Sequence, residues 1–311
     1  MKIAFVFAGQ GSQYLGMGKD CLENSNSFKE VFDVCNKNND LVHVCFENSE
    51  RLNTTRDAQW AIYSISMAAV NMLKNEGIHP EGCIGLSLGE YSAYGCAGAY
   101  SIEEGIALTK KRGALMQETI EKTTSGMAAI LSLSADKIEQ ACLDASDVGI
   151  VSVANYNAPD QIVITGEEAA LEKAIQNCID LGARRAIRLQ VSGAFHSTLL
   201  NLAKDELRKA LNEVKWNKPQ LPVYTNLTGE VTDNIVDSLT EQLVSPVRFQ
   251  KGIEKMMEDG FDTFIEIGPK TTCSSFIKKI AQANEKIVTI CNVDDVKSFE
   301  KTKEMIQGGQ V

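Results

Sequence analysis

Cys83–Ala93 reads CIGLSLGEYSA, and its reading decides the fold. A brief apolar run ends at Gly85, Ser87 stands between Gly85 and Gly89, and a small-residue segment at helical spacing follows. Strand, G-x-S-x-G, then helix is the context of a nucleophile elbow. The turn is tight, the serine at its tip takes a strained backbone conformation, and a side chain at either glycine would collide with a neighbouring strand or helix. The helix that begins just after Ser87 aims N–H groups at the place where an oxyanion would form. Five residues make a weak motif, and a glycine-rich turn with a capping serine has the same letters. The strand before it and the helix after it favour the nucleophile.

The flanking pattern extends this into an α/β core. KIAFVFAG is a short apolar strand, AQWAIYSISMAAVNMLKNEG a long helix closed by Gly77, and SIEEGIALTKKRGALMQETIEK an amphipathic helix. Strands separated by helices imply parallel pairing. From Gly126 to Gln190 the order changes: GMAAILSLS, ADKIEQACLDA, VGIVSVANYN, DQIVITG, EEAALEKAIQNCIDLG and ARRAIRLQ read β-α-β-β-α-β, the ferredoxin-like split unit. The expected organisation is an α/β-hydrolase-like core with a parallel sheet, built from 1–123 and 191–311, with a ferredoxin-like (βαββαβ) subdomain inserted at 124–190. Later segments resume the core: an amphipathic helix starting at His196, the proline-bounded PQLPVYTNLTG, FDTFIEIG and KIVTICNV.

Bulk properties narrow the class. The chain has 311 residues, 44% hydrophobic and 23% charged, an ordinary balance for a water-soluble globular protein. A net charge of −10 argues against nucleic acid as a partner. The N-terminal apolar run is too short for a signal peptide, and no stretch approaches the ~18 apolar residues of a membrane span. Nine cysteines are scattered singly with no C-x-x-C, which suggests buried thiols in a reducing compartment, and a cytoplasmic location. The chain's own start and end suggest a discrete protein rather than a domain cut from a larger synthase.

Serine needs a base, and there are three histidines. His43 lies in an apolar patch of the N-terminal helical region, and His79 lies at the wrong end of the Ser87 strand. His196 follows a strand and a glycine, as expected at the carboxyl edge of the sheet, and is favoured. No acidic residue between 87 and 196 presents itself as third member; a main-chain carbonyl could orient the imidazole as well.

FAGQGSQYLGMG, GLSLGEYSA, RGALMQ, SGMAAIL, NYNAPDQIVITG, GAFHS, QLVSPVRF and EIGPK follow one another in one order. With them the chain resembles, over nearly its whole length, the malonyl-CoA:acyl-carrier-protein transacylases of fatty acid and polyketide synthesis. The resemblance implies Ser87 as nucleophile, His196 as base, and Gln242 as the residue whose main-chain carbonyl orients the histidine, its side chain mattering little. It implies an oxyanion hole of the Gln10 and Leu88 N–H groups. Arg112 matches the arginine that grips the free malonyl carboxylate, a role suited to a bidentate, always charged guanidinium; by itself it would read as a surface residue beside Lys110 and Lys111. Phe195 matches a malonyl-selective pattern, and a ring there should disfavour an α-methyl group by about 1–3 kcal/mol. Asn155 and Asn157 read equally as hydrogen-bond partners of the pantetheine arm or as an asparagine-rich turn. Gln59 and Trp60 keep a structural reading. The family usually has histidine directly before the nucleophile, where this chain has Leu86, a difference bearing on substrate handling and not on reaction type.

The implied partners are malonyl-CoA and holo acyl carrier protein, with no metal or other cofactor, no nucleic acid and no membrane. Carrier proteins of this kind are acidic, so a local basic patch is expected, with Arg184, Arg185, Arg188, Lys270, Lys278 and Lys279 as candidates. The rival readings are a serine acyl hydrolase or thioesterase using the same pair, and a non-enzymatic scaffold docking on a carrier protein.

Overall fold

The computed structural model describes residues 1–191 and 193–308; residue 192 and the last three of the expected large unit lie outside it. Nine strands are named in chain order: β1 Ile3–Phe7, β2 Gly82–Gly85, β3 Ser125–Leu131, β4 Val151–Ala158, β5 Gln161–Glu167, β6 Arg185–Arg188, β7 Val223–Tyr224, β8 Thr263–Ile267 and β9 Thr289–Val293. They form two sheets. The first has the order β7-β2-β1-β8-β9 with every pairing parallel. Its central strands IAFVF, GCIG and TFIEI are buried throughout, as strands covered by helices on both faces must be.

The second sheet has the order β4-β5-β3-β6 and is antiparallel. With helices Ala135–Ala145 and Glu168–Asp180 after its first and third strands, it is the ferredoxin-like βαββαβ unit. Ile130, Ile138, Ile164 and Leu171 close a small core of its own. A β-bridge joins it to the rest: Tyr156 N–H donates to the Val247 carbonyl and Val247 N–H to the Ala154 carbonyl, each at 2.8 Å. This sets β4 over the carboxyl edge of the parallel sheet.

Helix termini follow the local chemistry. Thr54 caps Thr55–Asn75 through Asp57 N–H, and Ser101 with Glu104 forms a reciprocal capping box on Ile102–Ile120. Two elements differ from the sequence reading. PQLPVYTNLTG contributes only Val223 and Tyr224 to the sheet, because Pro222 cannot donate to a ladder and confines pairing to a short edge strand. The helix expected to start at His196 begins at Asn201, after a 3-10 turn at Thr198–Leu200 capped by Ser197. His196 itself has φ 55°, which no helix accommodates.

Candidate active site

β2 delivers Ser87 at the carboxyl edge of the parallel sheet with φ 54°, the left-handed region that L-residues avoid. The two glycines make this possible. A Cβ on Gly85 would lie 1.9 Å from the Gly89 carbonyl carbon, and one on Gly89 would lie 2.2 Å from the Phe7 carbonyl oxygen of β1. Asn226 clamps the turn: its Oδ1 accepts from Ser87 N–H at 2.6 Å and its Nδ2 donates to the Gly85 carbonyl at 2.7 Å. Helix Gly89–Cys96 begins two residues past the serine.

Ser87 Oγ lies 2.7 Å from His196 Nε2, and His196 Nδ1 lies 2.9 Å from the Gln242 main-chain oxygen. A carbonyl can only accept, so Nδ1 carries the proton and the Nε2 lone pair faces the serine hydroxyl. Gln242 ends helix Ile235–Gln242, whose placement offers that carbonyl to the imidazole. Burial, reinforced by the Arg112 charge, holds His196 down at about 4 from an ordinary 6.5, so the ring is neutral at neutral pH. His43 and His79 are exposed and remote, His43 bonded to Glu47.

Arg112 projects inward from helix Ile102–Ile120 and is only 1% exposed, although two lysines precede it. Its Nη2 donates to Ser87 Oγ and to Gln242 Oε1, both at 3.1 Å, and its Nη1 donates to Gln59 Oε1 at 2.8 Å. The Tyr91 ring lies 5.3 Å from its guanidinium carbon. Burial lowers its affinity for the proton, yet a guanidinium stays charged. Among the described residues no carboxylate forms an ion pair with it. The cation therefore sits beside the nucleophile with a free capacity for an anion.

The pair opens into a cleft of about 500 Å³ between the sheets. Gln10 and Lys270 come from loops after β1 and β8, Asn155 and Asn157 from β4, with Leu86 and Phe195 beside the reacting pair. Phe195 is buried, and Leu86 packs its half-buried side chain against the cluster containing Phe276. Asn157 Oδ1 is buried without a partner among the described residues. The main-chain N–H groups of Gln10 and Leu88 have no protein acceptor among those residues either.

Two side chains at this site, Asn226 and Glu90, had no role in the sequence reading, and two others, Gln59 and Gln242, were undervalued. Gln59 holds Arg112 and links to Gln10 through Nε2···Oε1 at 3.1 Å, so it belongs to the site as well as to its helix. Asn226 lies in no motif, and Glu90, although inside GLSLGEYSA, carried no assigned role there. The Gln242 side chain is not indifferent: it bridges Arg112, the Ser87 carbonyl and Glu90. The basic candidates do not form one patch of free charge. Arg188 is tied to Glu168 and Glu172, and Lys279 to Asp160, whereas Lys270 lines the cleft. All nine cysteines are free and buried, and none joins the reacting pair.

A parallel α/β-hydrolase-like core with a serine on an elbow, and a histidine oriented by a main-chain carbonyl at a cleft between the sheets, defines the class as an acyltransferase. The acyl transferase domain family matches residues 4–308, and the chain belongs to that family. It is 39% identical over 306 residues to the malonyl CoA-acyl carrier protein transacylase of Bacillus subtilis (strain 168), covering 96% of this chain and 95% of that one. The crystal structure of malonyl CoA-acyl carrier protein transacylase from Clostridium perfringens Atcc 13124 aligns with TM-score 0.95 and 43% identity over 100% of this chain and 98% of that one. A malonyl-transacylase in complex with its type II PKS acyl-carrier protein aligns with TM-score 0.93 and 33% identity over 98% of this chain and all of that one (100%).

Proposed function

We propose that this enzyme transfers the malonyl group of malonyl-CoA to the pantetheine thiol of holo acyl carrier protein through a malonyl-Ser87 ester. The observation that carries the reading is the buried Arg112 guanidinium 3.1 Å from the Ser87 hydroxyl that His196 also contacts. An acyl chain attached to that serine and ending in a carboxylate meets a fixed cation. A simple esterase or thioesterase has no use for one.

His196 Nε2 takes the hydroxyl proton as Ser87 Oγ attacks the thioester carbonyl. The oxyanion is received by the N–H groups of Leu88 and Gln10. Collapse breaks the carbon–sulfur bond, and the proton on Nε2 leaves with the CoA sulfur. The same imidazole then takes the pantetheine thiol proton, sulfur attacks the ester, and Ser87 recovers its proton in a ping-pong cycle. Arg112 fixes the acyl carboxylate, and Phe195 crowds its α-carbon. Asn157, with Asn155, supplies polar contacts for the pantetheine arm. Lys270 is the member of the basic set best placed to meet an acidic carrier, with Arg184, Arg185 and Lys278 further out.

The unit 124–190 is a subdomain forming one wall of the cleft, and 1–123 with 191–311 the catalytic part. Among the described residues no helix is long and apolar enough to cross a membrane; with nine free thiols this supports a cytoplasmic enzyme.

Labelled malonyl-CoA tests the reading. Wild-type protein should form a covalent adduct that holo acyl carrier protein discharges, and Ser87→Ala should form none. An adduct on Ser87→Ala, or one lost only to water, would exclude it.

A further inference from the structure

Glu90 has no part in the proton transfers above, yet it is fully buried in the first turn of the helix behind Ser87. One of its oxygens, Oε2, accepts two hydrogen bonds: from Asn226 N–H at 2.8 Å and from Gln242 Nε2 at 2.9 Å. Each donor leads to the reacting centre. Asn226 holds Ser87 N–H and the Gly85 carbonyl. The Gln242 amide also donates to the Ser87 carbonyl at 3.0 Å and turns its Oε1 to Arg112 Nη2.

An amide can present either end to a cation, and only the oxygen end attracts one. With Nε2 committed to Glu90 and to the Ser87 carbonyl, Oε1 must face the guanidinium. We infer that Glu90 is a positioning residue of the transfer reaction: it fixes the Gln242 amide, and through it the Arg112 guanidinium, where the acyl carboxylate lands. The assignment rests on malonyl transfer as the reaction. Burial, opposed by these hydrogen bonds and the Arg112 charge, raises the carboxyl to about 7, and Oε1 has no partner among the described residues. Whether or not Oε1 carries a proton, Oε2 remains an acceptor, so the clamp persists across neutral pH.

Acylation of Ser87 by malonyl-CoA is compared with acylation by acetyl-CoA, which has the same thioester and lacks the carboxylate. The readout is the ratio of the two second-order rate constants, followed by intact-protein mass spectrometry. A loss of fold integrity lowers both rates and leaves the ratio; a misplaced guanidinium lowers the ratio. Glu90→Met, nearly isosteric and without an acceptor, should reduce the ratio about tenfold or more, since the acceptor that holds the Gln242 amide is lost and its buried N–H is left unpaired. Glu90→Gln, which can place a carbonyl at the Oε2 position, should return it to within about threefold of wild type. Gln242→Met keeps the main-chain carbonyl to His196, removes the amide, and should reproduce the fall. An unmoved ratio in folded Glu90→Met or in Gln242→Met overturns the proposal, as does a Glu90→Gln enzyme as impaired as Glu90→Met. If Glu90→Met does not fold, Gln242→Met decides. A wild-type enzyme that is never malonylated overturns the transfer reaction and this proposal with it; a malonylated wild type with an unmoved ratio overturns this proposal alone.

Discussion

The Arg112 Nη2 donates to Ser87 Oγ across 3.1 Å, so the buried cation and the nucleophile are in contact before any substrate arrives. An acyl carboxylate bound by this guanidinium is therefore held within reach of the hydroxyl that attacks its own thioester. Truncating Arg112 leaves that carboxylate buried and unpaired. Arg112→Ala should cost about 3–5 kcal/mol in malonyl kcat/KM, a loss between roughly 10² and 10⁴-fold. Steady-state transfer to holo acyl carrier protein measures it, and unchanged malonyl kinetics would sink the assignment.

The depressed His196 sets the acid side of the pH profile. The base works only as the neutral ring, so activity falls as pH drops through the folded-state value, about 4 instead of 6.5. kcat/KM for malonyl-CoA should stay flat from neutral pH down to about 5 before its acidic limb begins. Arg112 is a secondary cause of that depression, after burial. Removing it in Arg112→Met should move the limb upward, toward the ordinary histidine value. A wild-type limb centred near 6.5 would contradict the geometry.

The elbow has no room for a methyl group. With a Cβ on Gly85 only 1.9 Å from Gly89 backbone carbon, helix and strand must separate. Gly85→Ala should destabilise the fold by about 3 kcal/mol or more, lowering the unfolding midpoint by roughly 5 °C or more. A thermal melt indistinguishable from wild type would show that the turn is softer than described.

Charge reversals separate the basic candidates. Lys270 lines the cleft, whereas Arg188 is spent on Glu168 and Glu172. Lys270→Glu should raise the KM for holo acyl carrier protein by roughly three- to tenfold at low salt, and less at high salt. Arg188→Glu should leave that KM within about twofold, because an exposed pair contributes little. Equal effects of the two reversals would show that docking does not centre on the cleft mouth.

Much of this was legible in the chain. The alternation of short apolar runs with segments at helical spacing predicts both sheets, and the G-x-S-x-G between a strand and a helix predicts the strained turn at Ser87. Those are local properties, dictated by sterics within a few residues. Elimination among three histidines led to His196, although its left-handed φ and the later start of its helix did not show in the sequence.

What folding alone decided is where long-range partners meet. Arg112, beside two lysines, reads as a surface cation, and only the packing of its helix against Thr55–Asn75 and the Ser87 elbow buries it. The roles of Gln59, Asn226 and Glu90 were not legible because these side chains satisfy buried polar atoms of segments far away in the chain. Glu90 and Gln242 are 152 positions apart and meet at 2.9 Å. Leu86 and Ser87, by contrast, were readable from the elbow itself. The strained turn that carries Ser87 and the two-sheet architecture were written in the local sequence, since these follow from backbone geometry and the order of apolar runs. Tertiary structure decided the hydrogen-bond partners that hold the cation against the serine, because a buried donor or acceptor must be paired by whatever the fold brings within 3 Å or so.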